Sequence, residues 1–253
     1  MKTHTRNFKL LVITFLYSVT IYAQDNNPKQ IVLDAINLMN GITSKSTATM
    51  SVVRPKWTRS ISMRSWSLGN DYNMILITSP AKDKGQTFLK RENEMWNWIP
   101  TISRIVRIPP SMMGQSWMGS DFTNNDLVKR NSLVNDYEHT LAEGETIEGY
   151  KTYKITLTPK KDAAVIWGRI ILYIAKKEHF ILKGEYYDES GTLVNLETQT
   201  NIKHFTDRDL PSKLTIVPVK EKGKKTVLEF EQIEFNVSIK KDFFSQQNMK
   251  SLR

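Results

Sequence analysis

Cysteine is absent from the 253-residue chain. Disulfides, thiolate metal sites and thiol nucleophiles are thereby excluded, and the fold must rest on its core and its hydrogen-bonded ladder. Histidine is almost as scarce. Apart from His4 near the N-terminus, His139, His179 and His204 are scattered, with no His-x-x-x-His or carboxylate-flanked spacing, so neither a metal centre nor an acid–base triad is indicated. Beyond the first 23 residues no apolar run approaches the roughly 20 residues that span a bilayer as a helix. The nearest approach to a nucleophile elbow, Gly114-Gln115-Ser116-Trp117-Met118-Gly119, is one residue off pattern and follows no parallel-sheet strand. Repeats and low-complexity tracts are also missing. No cofactor is expected, and the composition speaks against an enzyme.

The N-terminus supplies the first positive signal. Lys2, Arg6 and Lys9 precede an apolar stretch from Leu10 to Val19, and Ile21-Tyr22-Ala23 offers a small residue before the polar Gln24-Asp25-Asn26-Asn27. That order is a secretory signal peptide, residues 1–23, cleaved to leave a single exported domain over residues 24–253. No cysteine follows the apolar stretch, so a lipid-modified N-terminus is not expected. Loss of the three leader cations lowers the net charge from +10 to about +7. The sign favours approach to anionic surfaces without naming one.

After the leader, Pro28 to Gly41 reads as a helix: Ile31, Ala35 and Leu38 recur at helical spacing, with proline suited to the first turn and glycine to the end. From Ser44 the period becomes two. Strands are expected over 47–53, 57–68, 72–78, 86–90, 94–99, 139–145, 150–159, 165–175, 180–187, 193–205, 212–218 and 225–239, with one short helix over 121–129 capped by Asp121 or Thr123. Strand follows strand without alternating helices. The fold class is therefore mainly β (α+β), a large curled antiparallel sheet with one or two covering helices. In the strand from Trp57 the apolar phase passes from Trp57, Ile61 and Met63 to Trp66 and Leu68, which points to a bulge near Arg64-Ser65.

The segment from Met95 to Phe122 is the densest in large apolar side chains. It holds Met95, Trp96, Trp98, Met112, Met113, Trp117 and Met118 on a short strand and on a loop punctuated by glycine and proline. Loops run over the surface, where such residues are disfavoured unless something covers them. Methionine and tryptophan can repack around greasy ligands of variable shape, so the cluster suggests either a ligand cavity or ordinary core.

These residues carry a family resemblance. The order helix, long antiparallel sheet, Trp96-Asn97-Trp98-Ile99-Pro100, basic Arg104-Ile105-Val106-Arg107 and Met118-Gly119-Ser120-Asp121-Phe122-Thr123-Asn124-Asn125-Asp126-Leu127 resembles the LolA-like outer-membrane lipoprotein-sorting proteins. The ending Asp242-Phe243-Phe244-Ser245-Gln246-Gln247-Asn248-Met249-Lys250 is similar to the family's close. The resemblance implies an open, unclosed β-barrel whose N-terminal helix and short helix/loop lid cover an apolar cavity. It implies a monomeric periplasmic carrier that shields lipoprotein acyl chains or lipids on the way to the outer membrane, with an inner-membrane exporter and an outer-membrane acceptor as partners. The family's Lys-Arg-Pro after the second strand is not present; Ser67-Leu68-Gly69-Asn70-Asp71 stands there, and Arg64 is the nearest arginine.

The expected cavity and lid residues are Met63, Trp66, Met74, Leu76, Trp96, Trp98, Met112, Met113, Trp117, Met118 and Phe122, with Pro109 to Gly119 as the mobile part and Gly114 and Gly119 as hinges. Two other functions stay open: a lipid-binding accessory of an inner-membrane exporter, and an exported enzyme acting on lipids or glycans. The basic runs Lys160-Lys161, Lys176-Lys177, Lys220 to Lys225 and Lys240-Lys241 sit at strand ends. They fit solvated hairpin tips or contact with anionic headgroups. Lacking interleaved aromatics, they do not suggest nucleic acid.

Overall fold

The computed structural model describes residues 27–128 and 131–252, so the expected leader and the far end of the expected 121–129 helix lie outside the described residues. Helix α1 (Pro28–Asn40) opens the chain. Asn27 caps it through its side chain, which accepts from Lys29 N and Gln30 N, and proline holds the first turn. Gly41 ends the helix at φ 62°, and a Cβ there would meet the Phe235 ring at 2.8 Å, so both backbone and space require glycine.

Six strands follow: β1 (Thr43–Arg54), β2 (Trp57–Leu68), β3 (Tyr72–Ser79), β4 (Thr87–Arg91), β5 (Glu94–Ile99) and β6 (Arg104–Arg107). After a long loop come α2 (Asn124–Val128) and α3 (Ser132–Asn135). Seven more strands complete the sheet: β7 (Tyr137–Ile147), β8 (Tyr150–Pro159), β9 (Arg169–Ala175), β10 (Ile181–Tyr187), β11 (Leu193–Phe205), β12 (Arg208–Pro218) and β13 (Lys225–Phe235). A last helix, α4 (Gln246–Ser251), closes the chain.

All 13 strands form one antiparallel sheet in the order β6-β5-β4-β3-β2-β1-β13-β12-β11-β10-β9-β8-β7. Each strand pairs with its sequence neighbour except where β1 meets β13, which brings the two halves together. Strands β6 and β7 are left as edges, so the sheet curls without closing. The chain between those edges is the loop that carries Met112 to Phe122, together with α2 and α3.

Several expected boundaries change. Strand β6 was not expected; Ser103, at φ 50°, turns the chain back so that Arg104–Arg107 pairs with β5. The 165–175 strand begins at Arg169, because Val165 and Trp167 instead pack against the core beside α1. The last strand stops at Phe235, since Asn236 turns at φ 57° and donates to Thr43 O. The short helix starts at Asn124: Thr123 Oγ1 accepts from Asp126 N at 3.2 Å while the Asp126 carboxylate accepts from Thr123 N at 2.7 Å, a reciprocal cap. Asp121 is engaged elsewhere.

The expected bulge also moves. The register shift in β2 lies between Ser62 and Met63 against β3, while the pairing of β2 with β1 is unbroken. Successive side chains alternate faces, so Ile61, Met63, Ser65 and Ser67 share the concave face. Trp66 and Leu68 lie on the convex one, under the C-terminal segment. The apolar phase switches because a second apolar layer begins outside, not because the strand turns over.

Candidate functional site

The concave face encloses a cavity of about 160 Å³. Its walls come from Met50 of β1, Leu214 and Ile216 of β12, Leu228 and Phe230 of β13, and Ile170 and Ile181 of β9 and β10. Ala35, Ile36 and Met39 of α1 face it from one side. Trp117, Phe122, Asn125 and Leu127 of the β6–β7 loop and α2 cover it from the other. A second chamber of about 120 Å³ shares Met39, Leu127, Leu228 and Phe230 with the first. Its floor is polar: Ser44 Oγ and Ser67 Oγ lie 2.6 Å apart, Ser46 Oγ and Ser65 Oγ 2.7 Å apart. Lys90, only 6% exposed, reaches in from β4 and donates to Asn70 O. The two chambers are thus neighbours with four wall residues in common, the first greasy and the second hydroxylated, with a cation.

The apolar chamber has polar points of its own. Glu197 of β11, 7% exposed, accepts from Tyr186 Oη at 2.8 Å and from Gln199 Nε2 at 2.7 Å. Sequence reading missed this trio. The alternation in Leu193–Phe205 placed Asn195, Glu197 and Gln199 on one phase and Leu196 on the other, and the polar phase is the one that faces inward. Tyr137 Oη donates to Trp167 O at 3.2 Å; burial, reinforced by neighbouring Asp136, raises its pKa far above the usual range, so it remains a donor. The indole N–H groups of Trp117 and Trp167 are buried and meet no acceptor among the described residues.

The covering loop is held by arginines. Arg54, at the end of β1, donates to Asp121 Oδ1 and Oδ2 at 3.0 and 3.1 Å and to Gly119 O at 3.0 Å. Thr226 Oγ1 adds a bond of 2.7 Å to the same carboxylate. Arg59 of β2 donates to Met118 O. The peptide units being held are unusual: Met118 has φ 53° and Gly119 φ 74°, a left-handed pair that favours glycine at the second position and strains methionine at the first. Gly119 thus has the left-handed φ of a tight turn, whereas Gly114 has none. The loop is further tied by Trp117 N to Phe122 O and by Asn124 Nδ2 to Met112 O, at 2.8 and 3.0 Å. Arg64, the arginine singled out from sequence, instead sits on the convex face over the Trp66 ring.

The expected site residues separate into groups. Trp117, 3% exposed, and Phe122 line the cavity. Met63 lies in the core layer beneath, against which Met113 and Met118 pack; Met112 is exposed on the loop. Trp66, Met74, Trp96 and Trp98 are on the convex face, packed with Phe243, Phe244 and Met249 of the C-terminal segment, and Leu76 is buried on that same face of β3. These five are corrected out of the cavity wall. Trp66 and Phe243 have ring centroids 5.6 Å apart. The period-two pattern could not tell which covering layer would meet each phase.

The near-match to a nucleophile elbow can be placed directly. Ser116 Oγ donates to Ser120 O at 2.5 Å, and no histidine or carboxylate is among its partners in the described residues. The histidines are apart: His204 pairs with Asp209 on the surface, and His139 Nε2 donates to Leu133 O at 2.7 Å. Among the described residues no group of three or more His, Asp or Glu is placed to hold a metal ion, and no helix is long and apolar enough to cross a membrane.

Comparisons with known proteins agree with this architecture. A family model for uncharacterized proteins matches residues 69–251. A crystal structure of a DUF1329 family protein from Desulfovibrio piger superposes with a TM-score of 0.79 at 23% identity, over 88% of this chain and 97% of that one. A putative outer membrane lipoprotein-sorting protein domain from Vibrio parahaemolyticus gives 0.77 at 20% identity, over 88% and 98%. A LolA superfamily protein from Nitrosomonas europaea gives 0.73 at 19% identity, over 87% and 98%. No curated protein matches the sequence. The fold is LolA-like, an open antiparallel sheet.

Proposed function

The chain belongs to the family of uncharacterized proteins matched over residues 69–251, and from that premise we propose that it is a periplasmic carrier of acylated cargo. The cargo is a lipoprotein's acyl chains or a lipid, sheltered in the concave cavity for transfer towards the outer membrane. Two of the similar folds, the lipoprotein-sorting domain and the LolA superfamily protein, bear names consistent with that role.

The observation that carries the reading is the covered apolar cavity beside a polar chamber, with four residues lining both. Each buried methylene contributes about 0.8 kcal/mol on transfer from water, so an apolar wall is sufficient to hold a chain. The serines and Lys90 suit the ester, hydroxyl or anionic head that such a chain carries. At about 160 Å³ the apolar chamber is smaller than the 300–1,000 Å³ usual for small-molecule sites. An acyl chain therefore enters by displacing the loop over Trp117 and Phe122, and the Arg54–Asp121 clip sets how readily that happens.

Native mass spectrometry of protein recovered from cells, followed by solvent extraction, tests the reading. An acylated molecule should accompany the chain and be displaced by a fluorescent acyl probe. Protein that carries no lipid and takes up no probe, even with the clip removed by Asp121→Ala, would end it.

A further inference from the structure

The turns joining β1 to β2, β3 to β4, β5 to β6 and β12 to β13 all fall at one end of the sheet, because alternate turns of an up-and-down antiparallel sheet share an end. Val53 pairs with Lys225, and a Cβ on Gly223 would lie 3.5 Å from Pro55, so the first and last of these turns touch. The covering loop is fastened at the same end, through Arg54 and Arg59.

This rim has a distinctive surface. Trp57 is 51% exposed, Ile102 57% and Val219 46%, one on each of three turns. Around them Lys56, Lys82, Lys84, Lys220 and Lys222 are all exposed. The acidic residues on these four turns are Asp83 and Glu221, and Glu221 is paired with Lys224. The β8–β9 and β10–β11 turns, at the same end, add Asp162, Asp188 and Glu189 against Lys160 and Lys161, with Asp188 near enough to Lys220 to feel its charge. The opposite end differs: among the described residues its exposed apolar side chains are Ile42 and, next to Arg107, Val106, and its charges are paired, Glu94 with Arg107 and Asp207 with Arg208. Apolar side chains on separate protruding turns, one of them tryptophan, within a field of lysines do not form the flat contiguous patch of a protein interface. They match the boundary of a lipid leaflet, where tryptophan sits at headgroup depth and lysines lie against phosphates.

We propose that this rim docks on an anionic bilayer surface, with Trp57, Ile102 and Val219 entering the headgroup region and the lysines holding the phosphates. The docking goes beyond the carrier reading and stands on the surface alone. It adds a geometry to that reading: the fastened end of the cavity cover faces the leaflet, so the bilayer can compete for the contacts that keep the cavity shut.

The test is co-sedimentation of the protein, as recovered from cells, with vesicles of phosphatidylcholine alone and with equimolar phosphatidylcholine and phosphatidylglycerol. Binding should favour the anionic vesicles and fall with salt. Each lysine near a charged leaflet strengthens partition by about fivefold. The combined Lys56→Glu, Lys220→Glu, Lys222→Glu variant should then lose roughly a hundredfold or more, with its melting temperature and acyl-probe uptake unchanged. Trp57→Ser, on an exposed side chain, should weaken binding further while leaving the fold intact. Equal binding to neutral vesicles, or anionic binding indifferent to these changes, overturns the proposal. So does a rim that leaves both vesicle types in solution but cross-links through Lys220 to an envelope protein. Acyl-probe uptake with no vesicle binding would remove the docking and leave the carrier reading standing.

Discussion

Trp117 and Trp167 show what a single buried donor can report. An indole N–H out of reach of an acceptor is unusual in an interior, where polar groups are nearly always bonded. Both rings border the apolar chamber, and an ester carbonyl is the acceptor an acylated cargo brings. Trp167→Phe keeps an aromatic wall and removes the donor. A bond of this kind contributes about 0.5–1.5 kcal/mol, so the substitution should weaken an acyl-ester probe by about two- to tenfold while barely affecting the matching ether. Equal losses for ester and ether, measured by fluorescence titration, would show that only packing had changed. His139 makes a separate prediction. Burial lowers its pKa beneath the usual 6.5, against the bond to Leu133 O, with Lys29 and Lys160 adding to the lowering and Glu138 opposing it. The unfolded chain then binds the proton more readily. Stability is complete above 6.5 and is lost as the pH falls through the folded-state value. Thermal melts from neutral to mildly acidic pH should show a decline that His139→Gln reduces.

The β6–β7 loop is the element on which access to the cavity turns. Its density of tryptophan and methionine was legible in the sequence, and so was its Gly119-Ser120-Asp121-Phe122 core, because such residues on an irregular segment require a cover or a ligand. Its fastening was not legible. Arg54 lies 67 positions from Asp121 and at the end of a strand whose periodicity ends there, and only the pairing of β1 with β13 brings Thr226 to complete the site. Arg54 and Asp121 are both largely buried, and removing one partner leaves the other uncompensated, a loss of about 3–5 kcal/mol when burial is complete and less at a rim. Asp121→Ala should therefore release the loop without unfolding the sheet. Limited proteolysis should cut the variant between Met112 and Gln115 where the parent resists, and an acyl probe should leave it faster. An unchanged digestion pattern would assign the holding to Arg59 and the loop's own bonds. On β10, Lys183, Glu185 and Tyr187 form a network that loses its contribution in acid, as His139 does. Burial alone would raise the Glu185 carboxyl, but bonds from Lys183 and Tyr187 outweigh it and hold it below the ordinary range. Its contribution persists above the ordinary carboxylate pKa and disappears as acid protonates it.

Taken whole, the molecule is a sheet with two apolar coats, and this is where the sequence was least able to separate site from scaffold. Alternation in β2 to β5 announces that both phases are apolar but not which coat each meets. The concave coat is α1 and the β6–β7 loop, with a cavity between; the convex coat is Ile239, Phe243, Phe244 and Met249, packed on Trp66, Met74 and Leu89. The sheet class, the N-terminal helix and most strand limits followed from period and turn residues. The assignment of Trp96 and Trp98 to the cavity did not survive, because the segment that covers them lies almost 150 residues away in sequence. The two coats should respond differently to truncation. Met74 is fully buried under the C-terminal segment, and Met74→Ala leaves a void that should cost about 2–5 kcal/mol. Acyl-probe affinity per folded molecule should stay the same. Leu127 borders both chambers and is partly exposed to them, so Leu127→Ala removes contacts that a ligand makes more than contacts the fold makes. Its melting temperature should move little and its probe affinity should fall by about tenfold, the equivalent of roughly two methylenes. The reverse pattern, a stable Met74→Ala that no longer takes up probe, would place the acyl site beneath α4 on the convex face. The concave cavity would then be a packing defect of the curled sheet.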